Sequence, residues 1–307
     1  MDKEKTVIII AGPTASGKTN ISLELARYFN TSVISADSRQ CYKELNIGVA
    51  KPSSEALHSI KHYFINSHSI QDNINAQVFE DYALKAADEI FMQRDIAVMV
   101  GGTGMYIKAF CEGLDEIPEV DAPVRNKIIK NYNEKGLSWL QFEVEKRDPL
   151  FWEHAERQNP QRLMRALEVI NSTGISITKF RINKKQERPF KIIKIGIDIS
   201  KEQLHRNIDA RVDEMIKNGL VEEVQSLQAF EKLNALQTVG YKEIFDCMHG
   251  AFSIQEAISQ IKTRTKQYAK RQLTWFKKDK SFHWLQVKDA KNFLLEIVYN
   301  LSLNIIS

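Results

Sequence analysis

A chain of 307 residues with 43% hydrophobic content is long enough for one large domain, or two ordinary ones, with full cores. No apolar run approaches the roughly 20 residues of a membrane span, and Met1-Asp2-Lys3-Glu4-Lys5 lacks the apolar stretch of a signal peptide, so a cytoplasmic protein with no membrane partner is expected. Cys41, Cys111 and Cys247 lie far apart and form no C-x-x-C pair, which indicates neither a zinc ribbon nor a disulfide framework. The net charge of +4 is modest but uneven, with eight Lys or Arg against two acids from Glu256 to Lys280.

Residues 7–11 are a short β-branched run of the kind that makes a buried strand. Gly12-Pro13-Thr14-Ala15-Ser16-Gly17-Lys18-Thr19 follows, a complete G-x-x-x-x-G-K-T phosphate loop. Residues 18–29 then carry Ile21, Leu25, Ala26 and Phe29 at helical spacing. The motif therefore lies between strand and helix, as its mechanism requires. Glycines let the backbone wrap an anion, helix N-terminal amides point at it, Lys18 adds a charge, and the Thr19 hydroxyl can reach Mg²⁺.

A second strand is predicted at residues 32–36, a helical stretch near 53–61, and a short strand at 62–66. A strong helix follows at 78–94 and another β-branched strand at 96–100. This alternation predicts an α/β fold, a parallel sheet flanked by helices. From residue 114 to about 188 the pattern is helical, entered at Pro118 and Pro123 and left through the polar segment before Pro189. A strand at 192–199 resumes the sheet. The expected organisation is a core of residues 1–113 and 190–307 with an inserted all-helical subdomain at 114–189. The rest is mostly helical, with a last strand expected at 282–287.

In parallel sheets ligands gather at the carboxyl ends of strands. Those ends carry the phosphate loop, Asp37-Ser38-Arg39-Gln40, and Gly101-Gly102-Thr103-Gly104. Asp37 is the only carboxylate in these loops; it could take a proton, help hold a metal, or simply cap a turn. Thr103 offers a hydroxyl in a loop that allows close backbone approach. Glycines stand where ATPases usually carry a metal-holding acid, which weakens NTP hydrolysis and favours a phosphate that is bound without being transferred.

Arg162 and Arg165 share a helix face and could grip phosphate, or form salt bridges such as that of Arg165 with Glu168. The 261–278 tract interleaves cations with Tyr268, Trp275 and Phe276, which suits RNA or a solvated helix equally. Arg211 lies in a helix ending near Asn218-Gly219. His58, His62 and His68 have no metal-ligand spacing.

Taken in order, these stretches resemble the bacterial tRNA dimethylallyltransferases of the tRNA isopentenyltransferase family. The matching segments are Gly12–Thr19, Asp37-Ser38-Arg39-Gln40-Cys41-Tyr42, Gly48-Val49-Ala50-Lys51-Pro52 and Gly101-Gly102-Thr103-Gly104-Met105-Tyr106. Gln161-Arg162-Leu163-Met164-Arg165-Ala166-Leu167-Glu168-Val169, Arg211-Val212-Asp213-Glu214-Met215, Gly240-Tyr241-Lys242-Glu243 and Tyr268-Ala269-Lys270-Arg271-Gln272 complete them. One departure is Lys61-His62-Tyr63, where many members carry paired histidines.

The resemblance implies a P-loop NTPase-like fold and transfer of a dimethylallyl group from dimethylallyl diphosphate to tRNA. The acceptor would be the exocyclic amine of the adenosine 3′ of the anticodon, in tRNAs reading codons that begin with U. It implies Asp37, Lys18, Thr19 and Arg211 as catalytic groups, with Mg²⁺ held at Thr19. The loop from Gly12 to Thr19, with Thr103, would bind the diphosphate. Asp37, Ser38, Arg39, Gln40 and Thr103 would meet the flipped base in a channel. Arg125, Gln161, Arg162, Leu163, Met164 and Arg165 would hold the anticodon stem-loop, with Lys270 and Arg271 adding RNA contacts. Nothing in the chain demands an oligomer, so a monomer is expected. Two other readings remain open on the residues alone: a P-loop kinase of a small metabolite or nucleoside, and a non-catalytic RNA-binding protein that senses nucleotide.

Overall fold

The computed structural model describes residues 4–182 and 184–286, with Leu295 and Ile297. Six strands form one sheet: β1 (Thr6–Ala11), β2 (Val33–Ala36), β3 (His62–Tyr63), β4 (Ile96–Gly101), β5 (Lys191–Asp198) and β6 (Phe282–Gln286). Their order is β3-β2-β4-β1-β5-β6 and every pairing is parallel. The strand expected at 62–66 is only two residues long, and Val287, expected to end the last strand, lies outside the described residues.

The run Val7-Ile8-Ile9-Ile10-Ala11 is unbroken because both faces of β1 are covered. Val7, Ile9 and Ala11 pack into a core with Phe79, Phe110 and Tyr241. Ile8 and Ile10 pack on the other side with Ile21 and Leu25 of the helix Lys18–Tyr28. In β4, Ala97 and Met99 likewise join the first core and Val98 the second. No helix among the described residues is long and apolar enough to cross a membrane.

By compactness the chain divides into residues 1–111 with 187–307, and residues 112–186. The second unit begins and ends two or three residues earlier than the sequence pattern suggests. Arg188 explains the exit: it lies in the first unit, where its guanidinium donates to Glu80 at 2.6 Å and to the carbonyl of Ala109 at 2.9 Å. The helical unit contains Ala122–Arg147, broken at Gly136, with Pro149–Trp152, Pro160–Thr173 and Ile177–Phe180. Its own core includes Leu140, Val144, Phe151, Leu163 and Leu167.

Candidate active site

Strand register brings three loops level. Ala11 of β1 pairs with Gly101 of β4, and Gly101 pairs with Ala36 of β2. The residues that follow are Gly12, Gly102 and Asp37, so the phosphate loop, the glycine turn and the single carboxylate leave one edge side by side. A Cβ on Gly101 would stand 2.2 Å from the Ala36 carbonyl oxygen. No acid fits at the end of β4, which gives the missing metal-holding carboxylate a steric cause.

The phosphate loop is built for an anion. Ala15 and Gly17 adopt positive φ (62° and 85°), curling the backbone before Lys18 starts the helix. Ser16 is buried, and its hydroxyl finds no hydrogen-bond partner among the described residues. The Lys18 ammonium donates to the Pro13 carbonyl. Burial, then the neighbouring Arg211 guanidinium, lower its pKa from 10.5 to about 7, against the opposing pull of Asp37. Burial also lowers the pKa of Arg211, whose Nη1 donates to the Thr14 hydroxyl at 3.2 Å. Charging both Lys18 and Arg211 in this dry site, beside an unsatisfied hydroxyl, is costly unless an anion joins them.

Asp37 Oδ1 accepts the backbone N–H groups of Arg39 (2.9 Å) and Gln40 (3.3 Å). It therefore caps its own turn, and its second oxygen makes no hydrogen bond among the described residues. The Thr103 hydroxyl oxygen accepts the Ser38 N–H at 3.1 Å, and the Thr103 N–H donates to Ala36, so the glycine turn is tied to the Asp37 loop. Gln40, expected beside the base, has both ends of its amide engaged: Oε1 with Ser35, Nε2 with the Val49 and Ala50 carbonyls. Tyr268 comes near this group; burial, then Asp37, push its phenol up to about 12.

In the helical unit, Pro160 starts a helix whose N-cap, Asn159, accepts from the Arg162 N–H at 3.3 Å. Glu168, buried, meets Arg165 at 3.4 Å and Arg125 at 3.7 Å, while Arg162 pairs with Glu156 at 2.8 Å. Arg181 joins them. Its pKa is lowered by burial and then by Arg162 and Arg165, so the guanidinium groups crowd one region. Leu163 and Met164 need correction as RNA contacts. They are 0% and 8% exposed, on the inward face of the same helix, and serve its core. Gln161 and Arg162 remain exposed.

The basic tract, in the helix Ile254–Lys278, divides in two. Lys262 pairs with Asp213 at 2.6 Å, Lys266 with Asp209 at 2.7 Å, and Arg264 with the buried Glu243 at 2.7 Å. These cations stitch the helix to its neighbours. Lys270 and Arg271, further on, are exposed. Sequence reasoning missed three groups: Gln272, which bridges two of the loops; Asn207, which donates to the Ala15 carbonyl at 3.0 Å; and Arg181. Gln272 ends the Tyr268-Ala269-Lys270-Arg271-Gln272 segment, and its lone polarity among the inward positions of its helix was a usable signal. Asn207 and Arg181 carried none.

Among the described residues no group of three or more His, Cys, Asp or Glu could hold a metal ion. His58, His62 and His68 instead bond locally to Ser54, Ile60 and Ser67.

An all-parallel sheet with a glycine-rich anion loop between its first strand and helix defines the class: a P-loop NTPase-like α/β protein. The chain belongs to the IPP transferase family, whose model matches residues 40–279. It is 45% identical over 287 residues to a tRNA dimethylallyltransferase of Christiangramia forsetii, covering 93% of this chain and 95% of that one. A solved tRNA isopentenylpyrophosphate transferase of Bacillus halodurans matches with a TM-score of 0.71 and 32% identity, covering 98% of this chain and 96% of that chain. A solved eukaryotic dimethylallyltransferase acting on tRNA matches with a TM-score of 0.78 and 25% identity, covering 98% of this chain and 80% of that chain.

Proposed function

We infer that this chain is a tRNA dimethylallyltransferase, a prenyltransferase that places a dimethylallyl group on an adenosine of tRNA. The finer reading takes dimethylallyl diphosphate as donor and the exocyclic amine of the adenosine 3′ of the anticodon as acceptor, in tRNAs reading codons that begin with U. The observation that carries it is the level placement of a buried phosphate loop, with Lys18 and Arg211 set against it, and a lone carboxylate, with no room for an acid at the end of β4. A kinase handling a triphosphate would need such an acid to place its metal.

In this reading the amine nitrogen attacks the allylic carbon C1 of the donor. The C1–O bond breaks and its electron pair leaves on the diphosphate. The nitrogen's proton passes to Asp37 as the new C–N bond forms, since an adenine amine is too weak an acid to be deprotonated beforehand. Lys18, Arg211, Ser16 and the loop amides stabilise charge on the departing diphosphate. The base reaches Asp37 only by leaving its stack, a cost of a few kcal/mol (order of magnitude). The exposed arginines of the helical unit, with Lys270 and Arg271, supply phosphate contacts to the stem-loop.

Mg²⁺ fits as an ion carried by the diphosphate. It prefers oxygen donors and keeps several waters, so Thr19 and the phosphates suffice where the chain builds no cage of acids. Bound there, it would neutralise charge on the leaving group.

The test is direct. Purified protein, Mg²⁺, dimethylallyl diphosphate and unmodified tRNA should yield isopentenyladenosine and diphosphate, read by mass spectrometry of digested tRNA. ATP consumption with indifference to the prenyl donor would overturn the reading.

A further inference from the structure

Beyond Ala11 and Gly101 the ladder between β1 and β4 stops, yet the loops that follow must stay in register if donor and acceptor are to meet. Gln272 supplies what the ladder no longer does. It sits on the helix Ile254–Lys278, 7% exposed. Its Oε1 accepts the Thr14 N–H at 2.8 Å, and its Nε2 donates to the Gly102 carbonyl at 2.9 Å. Thr14 offers a donor and Gly102 an acceptor, so only this orientation of the amide satisfies both. The side chain acts as one extra peptide group inserted between the two loops.

Gly102 is shaped to receive it: a Cβ there would stand 2.2 Å from Nε2. Trp275, one turn on, covers Gly104, where a Cβ would stand 2.1 Å from the indole. Tyr268, one turn back, lies on the same face of the helix. Positions 268, 272 and 275 thus form one helix face laid on the loops. From Gly102 the linkage continues through Thr103 to the Ser38 N–H at 3.1 Å and so to the Asp37 turn.

We propose that Gln272 is a positioning residue of the transfer reaction: its amide sets the spacing between the diphosphate cradle and the proton acceptor. This rests on the functional reading above. Among the described residues no further hydrogen bond beyond the strand ladder ties the Thr14 turn to Gly102, so losing the amide lets the cradle drift relative to Asp37, and a misplacement of about 1 Å costs on the order of 10²-fold in rate.

The experiment compares wild type, Gln272→Met and Gln272→Glu, each corrected for active, folded enzyme by thermal unfolding. Gln272→Met keeps length but neither bond; Gln272→Glu keeps the acceptor for Thr14 alone. For Gln272→Met the expected loss in kcat/KM for dimethylallyl diphosphate is about 10- to 100-fold, with tRNA affinity within about twofold. Gln272→Glu should keep the KM for the donor nearer wild type while kcat stays low.

A double-mutant cycle with Gly102→Ala adds a readout independent of folding yield. The added methyl displaces Gln272, so it should cost turnover in wild type and far less in a Gln272→Ala background. Additive effects, unchanged constants in the folded variants, or an equal fall in tRNA affinity would each overturn the proposal. A wild-type protein that makes no isopentenyladenosine would instead defeat the functional reading.

Discussion

Lys18 gives the sharpest quantitative expectation. Its pKa of about 7 means that in the free protein about half is charged at pH 7, about one tenth at pH 8 and about one hundredth at pH 9, each unit being a factor of ten. A diphosphate favours the ammonium form, so donor affinity should fall about fivefold from pH 7 to 8 and about tenfold more to pH 9. The total is about 2 kcal/mol. Titration calorimetry in buffers of different ionisation enthalpy reads the same event as proton uptake, about half a proton at pH 7 and about 0.9 at pH 8. Lys18→Met is the control, with weaker binding and no uptake from this site. Affinity that holds or tightens from pH 7 to 9, with no uptake lost in Lys18→Met, refutes the argument. Without ligand the sign for stability follows from the same shift. Between about pH 7 and 10.5 the unfolded chain binds more protons at Lys18 than the folded one, so this group's contribution to stability rises with pH across that window.

Asp37→Asn keeps the acceptor that caps the Arg39 and Gln40 amides but cannot take a proton; turnover should drop about 10²- to 10⁴-fold with tRNA affinity retained, by single-turnover assay and filter binding. Arg162→Ala should weaken tRNA binding and reduce its log–log salt slope by about one, and an unchanged slope removes Arg162 from the RNA contact. Glu80→Ala strips a carboxylate from the buried Arg188 and should cost about 3–5 kcal/mol in urea unfolding, a loss below about 1 kcal/mol showing that its remaining contacts, which include the Phe110 carbonyl at 2.8 Å and the Ala109 carbonyl at 2.9 Å, suffice.

The contrast between what was legible and what was not follows particular residues. Residues 7–11 read as a buried strand because β-branched side chains fill both faces, and Gly12–Thr19 read as a phosphate loop because its spacing is a local geometric demand. The helical unit was visible as a break in alternation, though Arg188 moved its exit by finding Glu80 in the other segment. Leu163 and Met164 were misjudged because a motif quoted as a string hides helix phase, which turns them inward between exposed Arg162 and half-buried Arg165. The basic tract read as one feature, yet Lys262, Arg264 and Lys266 are absorbed by Asp213, Glu243 and Asp209.

Local chemistry alone therefore determined the class of the sheet, the anion loop and the identity of the lone carboxylate beside it. Tertiary structure decided which cations remain available for RNA, why no acid follows β4, and how Gln272 bridges to Thr14 across 258 residues. The reason is physical. Backbone propensity and side-chain periodicity act over a few residues and are written in the string, whereas a hydrogen bond between distant segments depends on the folded register that brings them together.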